Sequence, residues 1–161
     1  MPQLTEHFAE SEFFVAGKCG EVSTHDRSKA FDLAYLILEP LRSQFGIVKI
    51  TSGKRSAEHN AIIGGAAQSD HLYLAECAAA DFTLLSLAPP AMEDAFKLLY
   101  TNLARFIGQA IIYLGASGSP HFLHVSRPSR KHVGEFLTAT YEKATRGRSY
   151  APYKGGKILR P

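Results

Sequence analysis

Residues Ser69 to Phe82 read S-D-H-L-Y-L-A-E-C-A-A-A-D-F, with a glycine pair, Gly64 and Gly65, just upstream. The stretch carries a histidine, a carboxylate and a run of small residues, and its end, Ala79 to Leu85, reads as a strand. A second histidine in an apolar run follows much later, in F-L-H-V-S from Phe122 to Ser126. Imidazole and carboxylate are ordinary ligands of a divalent zinc ion, and a catalytic zinc site takes three protein ligands and leaves a fourth position open. His71, Asp81 and His124 are the candidate ligands.

Outward from this stretch the chain alternates short helices and strands. Ser11 precedes Glu12, Phe13 and Phe14 as the start of a brief helix. Phe31, Ala34, Tyr35, Leu38 and Leu41 recur at helical spacing, predicting a helix over 28–44 that Gly46 ends and that Pro40 kinks. V-K-I-T-S, Val48 to Ser52, reads as a strand, Gly53 to Ser56 as a turn, and Ala57 to Ile63 as a short helix stopped by the glycine pair. Pro89 and Pro90 open a helix to about Phe106, with Met92, Ala95, Phe96, Leu99, Leu103 and Phe106 as its apolar stripe. Ala110 to Leu114, Phe122 to Ser126 and Glu135 to Tyr141 are further strands. Strands at hairpin spacing mixed with helices predict an α+β domain with a mostly antiparallel sheet.

At 161 residues the chain suits a single domain, read over 1–144, followed by a basic, Gly- and Pro-containing tail over 145–161. Hydrophobic content of 45% with 20% charged residues excludes wholesale disorder. No apolar run reaches membrane-spanning length, so no membrane span is expected. The N-terminus, M-P-Q-L-T-E-H-F, is too polar for a secretory signal, and synthesis in the cytoplasm is expected. A net charge of +3 is mild: the tail reads as solvated, and nucleic acid is not an expected partner. Two cysteines, Cys19 and Cys77, are too few for a disulfide framework and read as small, packed residues.

Other polar residues are less specific. Arg55, on a tight turn at a strand end, can grip a carboxylate or a peptide carbonyl through paired hydrogen bonds, although a surface arginine is the simpler reading. Asn60 and Ser69 suit polar contacts or caps. His7, His25, His59 and His132 read as surface histidines, and His121 points to the opposite strand face from His124.

Seven segments now fall in register: L-T-E-H-F at Leu4, I-L-E-P-L-R from Ile37, I-T-S-G-K-R-S from Ile50, N-A-I-I-G-G-A from Asn60, S-D-H, A-A-D-F and F-L-H-V-S. With G-E-F-L-T-A after His132 as a closing strand, the chain over about 3–140 resembles the zinc D-Ala-D-Ala carboxypeptidases and L-Ala-D-Glu endopeptidases of bacteria and phages. The resemblance implies a Hedgehog-like α+β fold, an antiparallel sheet flanked by helices. It implies Zn2+ held by His71, Asp81 and His124, with Arg55 orienting the substrate and Ser69 in support. It also implies stem peptides or cross-links of peptidoglycan as substrate, with action at the cell wall after lysis or from a virion.

The chain departs from the family pattern twice. Nine residues, not six, separate His71 from Asp81, and the glycine of that interval is missing. The catalytic glutamate that follows a hydrophobic-Tyr pair is replaced by Leu114 after Ile112-Tyr113. Glu76, in the lengthened interval, is the carboxylate offered as a surrogate. Two readings follow: an active peptidase of D,D-carboxypeptidase or endolysin type, or a disabled relative serving as a wall-binding or structural protein among the neighbours of a phage particle.

Overall fold

In the computed structural model, residues 2–85, 90–142 and 147–158 are described. Helix α1 is Glu10–Phe13, α2 Thr24–Leu33, α3 Glu39–Phe45, α4 Ala57–Ile62 and α5 Pro90–Asn102. The strands are β1 Val48–Ser52, β2 Ala79–Leu84, β3 Gln109–Leu114, β4 Pro120–Ser126, β5 Glu135–Glu142 and β6 Gly147–Pro152. They form one sheet in the order β1-β2-β4-β3-β5-β6. Every neighbouring pair is antiparallel except β3 and β5, so the architecture is α+β with a mostly antiparallel sheet, as expected.

Local chemistry explains where the helices depart from expectation. The brief first helix begins at Glu10, and it is Glu12, not Ser11, that caps it by accepting the Ala9 N–H at 2.8 Å. Helix α2 starts at Thr24 because Ser23 and Asp26 form a reciprocal capping box, each side chain accepting the other's backbone N–H at 3.0 Å. Pro40 lacks an N–H and its ring crowds the preceding turn. The chain answers with a wide π turn at Ala34–Leu38, closed by Glu39 N–H on the Ala34 carbonyl, before α3 resumes. The buried stripe is Ala30, Leu33, Ala34, Ile37, Leu38 and Leu41. Phe31 and Tyr35, expected on it, are exposed and stack on each other outside. Helix α5 ends at Asn102, and Ala104–Phe106 is a separate 3-10 turn; Pro89 lies outside the described residues.

The period of two along the strands sorts the sheet's faces. Phe82, Ile112, Leu114, Leu123, Val125 and Phe136 pack with the helices in the main core. Ile111, Tyr113 and Ala139 lie on the other face, with Phe122 and Leu137 against them. Leu114, expected where a catalytic glutamate stands, is therefore a core residue only 1% exposed, and a longer acidic side chain there would be driven into apolar packing.

Of the stretch read as a basic tail, 147–152 adds β6 antiparallel to β5, Leu137 facing Pro152 and Ala139 facing Tyr150. Among the described residues no helix is long and apolar enough to cross a membrane.

Candidate metal centre

Three separate elements deliver the candidate ligands. Asp81 and His124 are directly opposed across β2 and β4, which sets their side chains side by side on one face. His71 arrives from a 3-10 turn, Asp70–Leu72, whose start is capped by Ser69 Oγ accepting the His71 N–H at 3.3 Å. The turn is held beside the strand end by Arg55 N–H donating to the His71 carbonyl at 2.7 Å.

The donor atoms converge. Asp81 Oδ1 lies 3.1 Å from His71 Nε2 and 2.8 Å from His124 Nδ1, and the two imidazole nitrogens are 3.3 Å apart. Ligand atoms about 2.05 Å from a tetrahedral zinc stand roughly 3.3 Å from one another. The three spacings lie at that value or up to 0.5 Å below it, and among the described residues this is the set of three donors close enough to hold a metal.

Protonation agrees with the donor role. His71 Nδ1 is 2.7 Å from the Gly53 carbonyl, which can only accept, so Nδ1 carries the hydrogen and Nε2 presents its lone pair to the cluster. Burial keeps the His71 imidazole below its usual pKa, against the opposing pull of Asp81, and so neutral. Burial alone would raise Asp81; the two imidazoles outweigh it and hold the carboxyl well below the usual carboxylate range. One anion and a neutral imidazole is the chemistry a zinc ion requires of its ligands. Gly53 is needed for its shape as well: a Cβ there would lie 2.3 Å from the Phe13 carbonyl oxygen, so only glycine lets α1 sit against this turn.

Arg55 lines the site, and its contacts are with the site's own residues. Its Nη2 donates to Asp81 Oδ2 at 2.8 Å and its Nε to Ser52 Oγ at 3.0 Å. Asp81 thus offers one oxygen to the cluster and gives the other to a guanidinium, the arrangement by which second partners orient metal ligands.

The lengthened interval between His71 and Asp81 does not pull the ligands apart. Tyr73 and Ala75 adopt left-handed backbone (φ 55° and 50°), which folds the extra residues back toward α2. There the buried Lys29 Nζ donates to the Tyr73 carbonyl and, at 3.0 Å, to that of Ala75. Tyr73 is itself buried and donates its hydroxyl to the Ala79 carbonyl at 3.1 Å, leaving Ala79 to Phe82 in the strand. Cys77, in the same loop, has its thiol pushed up to about 12 by burial and by Asp70, so it stays a packed, uncharged residue.

Glu76 is not brought to the cluster. Its side chain is 79% exposed, 3.9 Å from His25, and lines a neighbouring depression rather than the cavity of the ligands. Glu76 is therefore no surrogate for the glutamate missing at Leu114: the loop that carries it is pinned to α2 through Lys29, outside the ligand cavity.

The cavity over the cluster measures about 590 Å3. Arg55, Ser69 and Asp70 flank the ligands, and the far wall brings residues that sequence reasoning passed over: Gln109, His132 and Glu135. His132 had read as a surface histidine. The available signal was the i, i+3 spacing of His132 and Glu135 at the mouth of a strand. What hid it was the parallel pairing of β3 with β5, which sets Glu135 opposite Gln109.

A family model described as Peptidase M15 matches residues 6–125. No curated protein matches the chain.

Proposed function

The chain belongs to the peptidase M15 family, and on that footing we propose that it is a zinc-dependent peptidase acting on stem peptides or cross-links of peptidoglycan. The observation that carries this reading is the convergence of His71, Asp81 and His124 under a cavity large enough for a peptide. Peptidases of this family are zinc-dependent, and the ion, when bound, polarises a carbonyl and lowers the pKa of its water.

The chain's own residues do the rest. Asp81 supplies the negative charge of the ligand set, and Arg55 fixes its orientation through Oδ2. Gly53 locks His71 in the tautomer that presents Nε2. Arg55 and Ser69 line the cavity beside the ligands, which supports a role for them in meeting a substrate carboxylate or carbonyl. The fold fitting this role is the Hedgehog-like one, with the sheet's open face as the substrate floor.

A second reading, a disabled relative that binds the wall without cutting it, is favoured by one observation. Among the described residues, no carboxylate other than Asp81 contacts the imidazole pair. Loss of a general base costs about 10²–10⁴ in rate. Incubation of zinc-loaded protein with purified peptidoglycan separates the two. New amino termini that appear with wild type and vanish in His124→Ala support the peptidase; sedimentation with the wall and no release over days supports the binder.

A further inference from the structure

Beside the ligand cavity lies a second depression of about 680 Å3, walled by Leu74, Ala75, Cys77 and Pro128. Leu74 is 59% exposed, a large apolar side chain left uncovered in a concave surface, and the buried Cys77 adds an uncharged thiol. Glu76 and Arg130 also line the depression, and both are open to solvent. Both segments that build it are places where this chain leaves the family pattern. Leu74, Ala75 and Cys77 belong to the lengthened interval between His71 and Asp81, and Pro128 to Lys131 lie beyond residue 125, where the family match ends.

The depression is preformed, as ligand pockets usually are. Lys29 fixes the loop from one side through the carbonyls of Tyr73 and Ala75. At its base the two segments are joined by Arg127 N–H, which donates to the Ala78 carbonyl at 2.9 Å. It is also continuous with the ligand cavity, because Gln68, Ser69, Asp70 and Lys131 line both. Lys131 Nζ spans the seam, donating to the Gln68 carbonyl at 3.2 Å. A hydrogen bond between exposed groups has a small net worth and exchanges readily for one to a ligand carbonyl.

We propose that the second depression is a specificity pocket for one large apolar side chain of a peptide whose backbone lies across the metal centre, with Leu74 as its selecting residue. The inference rests on the reading that the main cavity takes a peptide, and it holds whether or not that peptide is cut. An extended peptide sets side chains of one face roughly 6.5–7 Å apart, so a pocket offset to one side of the ligands selects at a single position. Because its walls come from the segments in which this chain departs from its family, the preference belongs to this chain. Burying a leucine-sized side chain is worth about tenfold or more in affinity.

The test titrates full-length, zinc-loaded protein by calorimetry with N-acetylated hexa-alanine and with derivatives that carry L- or D-leucine in place of one alanine. Peptides that are cut are compared by kcat/KM, which carries the same difference in binding. The pocket predicts a gain of about tenfold or more at one position. Leu74→Asp removes the gain and leaves hexa-alanine unchanged, whereas Leu74→Met retains it; since Leu74 is exposed, neither variant disturbs the core. Equal affinities at every position, or a preference that survives Leu74→Asp, overturn the pocket and leave the peptide cavity standing. No binding of any peptide at millimolar concentration overturns both.

Discussion

Asp81 divides its two oxygens between different tasks, and that division is the most informative detail at the scale of single residues. Oδ1 sits with the two imidazoles while Oδ2 takes the Arg55 guanidinium. If Arg55 serves the metal through Asp81, Arg55→Ala lowers zinc affinity about 10–100-fold in a chelator competition, the usual cost of losing such a partner. If Arg55 serves only the substrate, zinc affinity is unchanged. The convergence of His71, Asp81 and His124 was legible in the sequence, because A-A-D-F and F-L-H-V-S each set a polar side chain inside an apolar run and S-D-H stands just before the first of them. The engagement of Arg55 with Asp81 was not, since nothing in I-T-S-G-K-R-S says which anion the guanidinium meets.

At the scale of elements, the anchoring of the lengthened loop on α2 keeps the site together. Lys29 spans the gap, bonded to two loop carbonyls and 3.3 Å from Asp26, whose other oxygen is 3.1 Å from Lys54. Lys29→Met leaves both carbonyls without this donor while Asp26 keeps Lys54, and urea unfolding should show a loss of about 1–3 kcal/mol. Asp26 also gives the fold a pH dependence. Burial works to raise its pKa, but the Ser23 N–H and the lysines outweigh it and lower it from 3.8 to about 2. A depressed carboxyl stabilises the fold above its unfolded pKa, and that contribution is lost as pH falls through the folded one. Wild type should therefore lose about 2 kcal/mol between pH 4 and pH 2 that Asp26→Asn does not lose, read by urea titration at each pH.

Strands such as Val48–Ser52 and Ala79–Leu84 were readable from their composition, and the break at Pro40 from proline's missing donor. The start of α2 was missed because Ser23 and Asp26 cap it at Thr24, seven residues before the apolar pattern begins at Phe31. The exposure of Phe31 and Tyr35 was missed because large aromatics outweigh small alanines in any apolar count, whereas Ala30 and Ala34 are the residues that pack.

On the scale of the whole molecule, the sheet has two unlike faces. One face is buried under the helices, and the opposite face carries the ligand cluster at β2 and β4 and an aromatic, acidic wall at β3, β5 and β6. The first face was legible because amphipathic helices announce what they cover. The second was only partly so: β6 lies in a stretch rich in basic residues, and the parallel β3–β5 pairing joins segments whose strand patterns say nothing of direction. Because the ligands come from separate parts of the chain, the unfolded state holds no comparable site, and metal binding couples to global stability. Zinc at about a thousandfold over its Kd should add roughly 4 kcal/mol to unfolding, seen as a higher melting temperature that EDTA reverses and that His124→Ala abolishes.

The most direct measurement is elemental analysis of purified protein expressed with zinc, in wild type and in His71→Ala, Asp81→Ala and His124→Ala. The convergent site predicts about one zinc per wild-type chain and almost none in each variant. Wild type without zinc, or variants that keep it, would contradict the assignment.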